Sequence, residues 1–170
     1  MIAMLREWRR PINFGLFIVC ALLLAWAYYL EYVEGLEPCP LCVFQRLAFL
    51  GLGVVLLVAA AHHPRGWGAK SYGGLILVAA GAGVALAVRH LYLQSLPPDQ
   101  VPACGPGLDY MLDTFPLLET IGTVLAGSGE CAEVQKVWGL TIPGWTLMGY
   151  LGIGGLGVVT NFLGGSGRRG

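Results

Sequence analysis

The 170-residue sequence predicts an all-α membrane protein: a four-transmembrane-helix bundle with two outer loops, the second carrying a short interfacial helix. Three observations carry this. Hydrophobic residues make up 56% of the chain and charged ones 12%, about half the charged share of an ordinary soluble domain, and the mean hydropathy is +0.68. Four stretches lack any charge, residues 11–30, 47–64, 71–88 and 137–167, with lengths of 20, 18, 18 and 31. Eighteen helical residues rise about 27 Å, close to the roughly 30 Å hydrocarbon core of a bilayer. Finally, the net charge of zero hides a segregation of sign from one connection to the next. Disorder, a collagen-like chain and a soluble disulfide-rich miniprotein are excluded. With no basic block, nucleic-acid binding is excluded as the main activity.

The spans fall at about 12–31, 44–62, 71–94 and 144–163. Arg6, Arg9 and Arg10 precede span one, Arg65 and Lys70 sit between spans two and three, and Arg168 and Arg169 end the chain. The loops at about 32–43 and 95–143, together with Glu31 at the edge of the first, hold nine of the ten acids: Glu31, Glu34, Glu37, Asp99, Asp109, Asp113, Glu119, Glu130 and Glu133. Lys and Arg in short connections mark the cytoplasmic side, so both termini are expected there and both acidic loops outside. A secretory signal ending at Ala25-Trp26-Ala27 is the competing reading of the first span. The apolar run continues past that triplet into Tyr28 and Tyr29, residues suited to an interfacial belt, so the span is expected to be retained.

Small residues recur four apart in span three, at Ala79/Gly83/Ala87 and Gly81/Ala85, as close helix packing in lipid requires. In the second outer loop, Leu108, Met111, Leu112 and Phe115 follow helical spacing, and Leu118, Ile121 and Leu125 resume it after Pro116. That pattern predicts a broken amphipathic helix lying apolar side down on the outer membrane surface. The Gly/Ser/Arg tail from Gly164 reads as a frayed end.

Five cysteines remain to be explained. Cys20 falls mid-span, where a thiol packs as a small hydrophobe. Cys39, Cys42, Cys104 and Cys131 divide two and two between the outer loops, on the oxidising side of a bacterial membrane. Cys39-Pro40-Leu41-Cys42 opens span two, where the unpaired N–H groups and positive end of a helix stabilise a thiolate. Arg46 lies one turn deeper on the face of Cys42, and an arginine near the membrane interior is a functional candidate by default. A disulfide across two residues restrains little chain, so its worth as a staple is small. A zinc half-site is the other reading of the motif. Against it, 26 residues separate Cys104 from Cys131, and an oxidising compartment disfavours four free thiolates; no metal is expected. A Cys104–Cys131 disulfide would close about 28 residues and stabilise the loop by roughly 3.6 kcal/mol in the chain-entropy model. Yet Cys104 lies in the open segment Val101-Pro102-Ala103-Cys104-Gly105-Pro106-Gly107, within reach of another protein's thiolate. Structural and redox roles both stay open on these residues alone. His90 and Gln94 end span three on one face, where helix capping and a carbonyl-bearing ligand are equally good readings. For Arg89, capping and snorkelling suffice.

The run Glu37-Pro38-Cys39-Pro40-Leu41-Cys42-Val43-Phe44-Gln45-Arg46 resembles the disulfide bond formation protein B (DsbB) family. So do Leu93-Gln94, Cys104, Gly129-Glu130-Cys131-Ala132 and Ile142-Pro143-Gly144-Trp145, over about residues 10 to 163. The resemblance implies a bacterial inner-membrane enzyme that reoxidises a periplasmic DsbA-type thiol oxidase and passes two electrons to ubiquinone or menaquinone, and so to the respiratory chain. Such a chain of carriers is what keeps the periplasm oxidising. It implies catalytic roles for Cys39, Cys42, Cys104 and Cys131, and quinone contacts from Arg46, His90 and Gln94. Resting pairs Cys39–Cys42 and Cys104–Cys131 are expected from the even split of cysteines between loops. Two rivals differ in sequence-level demands. A four-span scaffold with structural disulfides needs neither Arg46 nor the Cys-x-x-Cys position, and a relative of the quinone-linked epoxide reductases would run electrons the other way.

Overall fold

A computed structural model of the chain describes residues 2–97, 99–105 and 107–165, with side chains from residue 7 onward. Arg6, Arg168 and Arg169, and most of the tail expected to fray, lie outside the described side chains. Four helices are long and apolar enough to cross a membrane: Glu7–Tyr32, Pro40–His62, Trp67–Gln94 and Ile142–Gly164. The first three are α1 (Ile2–Tyr32), α2 (Pro40–His62) and α3 (Trp67–Gln94). The outer segment folds as α4 (Leu108–Thr114), α5 (Leu117–Ala126), a 3-10 turn (Gly129–Ala132) and a hairpin of β1 (Lys136–Val137) with β2 (Leu140–Thr141). The fourth span is α6 (Ile142–Gly149), a π-helical turn (Tyr150–Gly154) and α7 (Gly155–Gly164).

Local chemistry and tertiary anchors set the helix ends, and each span starts earlier than its apolar run. Before span one, Arg9 is buried and donates to the backbone carbonyls of Pro64 and Gly164, which carries the helix back past Pro11. α2 starts at Pro40 because Cys39 is its N-cap, its sulfur accepting from the Cys42 amide at 3.4 Å, and proline's fixed φ suits the first turn. α2 ends at His63, in a left-handed conformation with φ 40°. Thr141 caps α6 by accepting from the Gly144 amide at 3.3 Å. Trp138 and Gly139, both at positive φ, form the hairpin turn before it.

Periodicity decides what each span buries. From Ala69 to His90 the inward residues of α3 are Ala69, Gly73, Ile76, Ala80, Gly83, Ala87 and His90, alternating four and three apart like a coiled-coil seam, and Leu93 follows them inward at the helix end. Gly83 and Ala87 of the expected small-residue series lie on it, whereas Gly81 and Ala85 face outward. The aromatic ring of Tyr150 occupies the space beside Gly83, and Gly154 stacks on Ala80, so the fourth span approaches α3 closely. On α2 the matching stripe is Leu41, Gln45, Phe49, Leu52 and Leu56. Cys20 is buried in this core with Leu16, Phe49, Leu52 and Ile76, in the plain packing role expected. A reciprocal amide pair, Asn13 with Asn161, ties α1 to α7 at 2.8 and 3.2 Å.

A second, smaller core closes the other end of the bundle: Cys39, Leu41, Leu93, Met111, Val124 and Cys131. The outer helix is broken at Pro116 as its sequence predicts. Met111, Thr120 and Val124 turn onto the bundle end, while Leu112, Leu118 and Leu125 of the expected apolar face stay exposed. Thr120 goes inward because its hydroxyl donates to the Met111 carbonyl at 3.1 Å, fastening α5 to α4.

Candidate functional site

Every element at that end contributes to one cluster of sulfur and nitrogen atoms. The two sulfurs of the Cys-x-x-Cys motif are 3.1 Å apart, and all five cysteines are free thiols in this structure. His90 is 2% exposed and faces both: Nε2 is 3.8 Å from the Cys39 sulfur and Nδ1 is 4.0 Å from that of Cys42. Its place is dictated by α3, since it continues the inward seam one turn beyond Gly83 and Ala87. Gln45 occupies the equivalent inward position of α2; its amide nitrogen is 3.2 Å from His90 Nδ1, and its amide oxygen accepts from Thr146 at 2.9 Å. Tyr150 donates to the Gln45 carbonyl at 2.5 Å while its ring stacks on Phe49 at 4.0 Å.

The second pair of cysteines reaches the cluster from the outer loop. Cys131, on the 3-10 turn, has no exposed surface. Its sulfur lies 3.7 Å from the Ser128 hydroxyl and in the same small core as Cys39, and the neighbouring Cys39 thiol together with burial pushes its ionisation far above the usual thiol range. Cys104 is exposed, yet its segment runs beside the same turn: Gly129 donates to the Ala103 carbonyl at 3.3 Å, and a Cβ on Gly129 would sit 3.0 Å from the Cys104 sulfur. Only a glycine at 129 leaves room for that approach. Arg89 braces the arrangement by donating to the Leu125 and Ala126 carbonyls, at 3.0 and 2.6 Å. It therefore caps α5, not its own helix as expected from sequence, because its long stem carries the guanidinium across to carbonyls left open at that C-terminus.

Beside the cluster, an open cleft of about 1390 Å³ is lined by Cys39, Cys42, Arg46, His90 and Gln94, with Leu23, Leu24, Phe49 and Met148 among its apolar walls. Cys104 and Cys131 are not part of that lining. Spans one and four supply much of the wall, which sequence reasoning placed at the ends of spans two and three. Arg46 also differs in its partners. Its guanidinium pairs with Glu31, donates to the Ala27 carbonyl at 3.2 Å and lies over the Tyr28 ring at 5.1 Å, all on α1. Gln94 donates to the Glu133 carbonyl at 3.1 Å, and its own carbonyl oxygen is buried with no partner among the described residues.

The sulfur atoms of Cys39 and Cys42 and a ring nitrogen of His90 all lie within 4.8 Å of one another, close enough for the imidazole to act on either thiol. Gln45, Thr146, Tyr150 and Glu31 escaped the sequence reading. Gln45 alone carried a signal: it is the one polar residue on the Leu41/Phe49/Leu52/Leu56 stripe.

Comparison with known proteins bears on the same residues. The family model described as disulfide bond formation protein DsbB matches residues 9–160. A relative named disulfide bond formation protein B from Nitrosococcus oceani is 58% identical over 139 residues, covering 81% of this chain and 82% of that protein. One of the same name from Marinobacter nauticus is 61% identical over 137 residues, covering 78% and 80%. One from an Azoarcus species is 44% identical over 151 residues, covering 88% and 90%.

Proposed function

The chain belongs to the disulfide bond formation protein B family and is a multi-pass membrane thiol oxidoreductase of disulfide formation; from that premise we propose that it reoxidises a periplasmic DsbA-type dithiol protein and delivers the two electrons to a membrane quinone. One observation supports this most: an exposed cysteine, a buried cysteine and a helix-end pair follow one another from the surface to a cleft, as Cys104, Cys131, Cys39 and Cys42. A structural staple needs no such sequence of contacts. The charge asymmetry of the connections supports placement in the inner membrane, with both termini cytoplasmic and the cysteine loops periplasmic.

The partner's thiolate attacks Cys104 of a Cys104–Cys131 disulfide; a mixed disulfide forms and Cys131 leaves as thiolate. Cys131 attacks Cys39, which shares its buried core; the Cys131–Cys39 bond forms, Cys39–Cys42 breaks, and the electron pair stays on Cys42. The partner's second thiolate then releases Cys104, which attacks Cys131 and restores the outer disulfide, leaving Cys39 as thiolate. Burial of Cys131 keeps that sulfur away from bulk thiols, so the exchange is directed inward.

The residues present fit a quinone. The cleft joins apolar walls to a cation, a helix-end thiol and the buried Gln94 carbonyl, which lacks a donor among the described residues. Arg46, His90 and Gln94 would hold the head group beside Cys42. When bound, the quinone supplies a two-electron, two-proton acceptor, ubiquinone or menaquinone according to the host's pool. The test is quinone reduction by the purified protein with a reduced periplasmic dithiol protein as donor. Stoichiometric quinol formation supports the reading; oxidation of the donor without quinone consumption, or quinol-driven reduction of both disulfides, overturns it.

A further inference from the structure

Gln45 and Thr146 take no part in the exchanges above, yet they connect span four to the cysteines through His90. Thr146 donates to the side-chain amide oxygen of Gln45 at 2.9 Å, sharing its proton with the Pro143 carbonyl at 3.0 Å. The Gln45 amide nitrogen can only donate, so the His90 Nδ1 it meets at 3.2 Å must accept. A neutral imidazole then carries its proton on Nε2, the nitrogen facing Cys39 at 3.8 Å. Both Gln45 and His90 are almost fully buried, at 1% and 2% exposure, so water does not compete for these contacts.

We propose that Gln45 and Thr146 are positioning residues: they hold neutral His90 with its proton on Nε2 so that the imidazole stabilises Cys39 when that sulfur is expelled as thiolate. The step is the attack of Cys104 on Cys131 of the Cys131–Cys39 disulfide. The Cys104–Cys131 bond forms, Cys131–Cys39 breaks, and the negative charge passes from Cys104 to Cys39. No proton changes owner, because Nε2–H only donates a hydrogen bond. The Cys42 backbone amide, at 3.4 Å, is a second donor to the same sulfur. Charge-assisted bonds of this kind are about twice as strong as neutral ones. A cysteine, a histidine and a side-chain amide also form the cysteine-protease constellation, with a different direction of proton travel.

The titratable groups facing His90 and Cys39 are Cys42 from α2 and Cys131 from the outer turn, while α6 presents the neutral Thr146 to Gln45. Arg46, paired with Glu31 of α1, and Glu130 and Glu133 line the adjoining cleft. The proposal rests on the exchange order above, but its test needs neither quinone nor partner protein. The full-length chain, reduced with dithiothreitol in detergent, is alkylated with iodoacetamide across a pH series, and the rate at Cys39 is followed by peptide mass spectrometry. Burial sets the plateau rate; hydrogen bonding sets the inflection. Thr146→Val should slow alkylation of Cys39 about threefold at neutral pH while leaving the high-pH plateau in place, and Thr146→Ser should restore the wild-type profile. In 15N-histidine protein, His90 should carry its proton on Nε2, and Gln45→Leu should mix the two tautomers. Superimposed profiles for Thr146→Val and wild type, or a proton on Nδ1 (the outcome if the Gln45 amide is turned round), overturn the assignment. Should Gln45→Leu not fold, the Thr146 pair decides. An unshifted profile in a chain that still reduces quinone sinks the positioning role alone; a shifted profile in a chain without that activity sinks only the exchange order.

Discussion

Gly83 and Gly81 are two residues apart on α3, yet replacing each with alanine should have opposite effects. A Cβ at Gly81 meets nothing within 4 Å, so Gly81→Ala adds only helix propensity, worth up to about 1 kcal/mol. A Cβ at Gly83 would fall inside the van der Waals envelope of the Tyr150 ring, which would have to retreat by well over 1 Å to reach ordinary contact. That ring cannot swing aside, because it is 1% exposed, stacks on Phe49 and is tied to the Gln45 carbonyl. Overpacking of this kind costs about 1–3 kcal/mol, and because both glycines lie inside α3 the propensity gain is common to the two variants, which should therefore differ by about 1–3 kcal/mol. The displacement also reaches the cysteines, since Tyr150 pulls on Gln45 and Gln45 on His90. The assay is paired: midpoint of unfolding in a graded sodium dodecyl sulfate titration from mild detergent micelles, with dithiol-dependent quinone reduction on the same samples. Equal midpoints would refute the packing seam, and a destabilised Gly83→Ala with full activity would refute the coupling of Tyr150 to the site.

Arg46→Leu should raise the quinone concentration needed for half-maximal rate far more than that of the dithiol protein; equal effects on both would mean that Arg46 only supports the fold. Glu31→Gln removes the charge that holds Arg46 toward α1, and quinone titration should show a change in half-saturation without a change in dithiol dependence. In the fully reduced chain Cys104 should alkylate first and Cys131 among the last. Because the neighbouring Cys39 thiol and burial raise the ionisation of Cys131, its rate should keep climbing with pH beyond the ordinary thiol range; a plateau near that range would contradict the geometry. Arg89→Ala uncaps α5, and limited proteolysis should cut the outer segment faster while the spans stay intact.

What was legible in the sequence is what depends on one helix at a time. A span must be apolar for about 30 Å, connections must sort by charge, and a proline after Cys39 starts a helix wherever the chain goes next. The same local rules put Cys39 at a helix end and Cys42 in its first turn, and they marked Cys20 as core. The outer helix was legible in the same local way: Leu112, Leu118 and Leu125 are left exposed on the face expected to meet the membrane, while periodicity could not foresee that the Thr120 hydroxyl would find the Met111 carbonyl of α4. Periodicity names the face a residue occupies and is silent about which helix meets it. Gln45 and Thr146 are 101 residues apart, and Cys131 lies on a different loop from the Cys39 whose core it shares. Arg46 sits one turn below Cys42, yet Glu31 takes its guanidinium because α1 passes closer, and an ion pair in a low-dielectric surround outweighs a weaker contact with sulfur. Only the packing of four spans against one another, with Gly83 small enough to admit Tyr150, decided which polar groups share the buried end of the bundle.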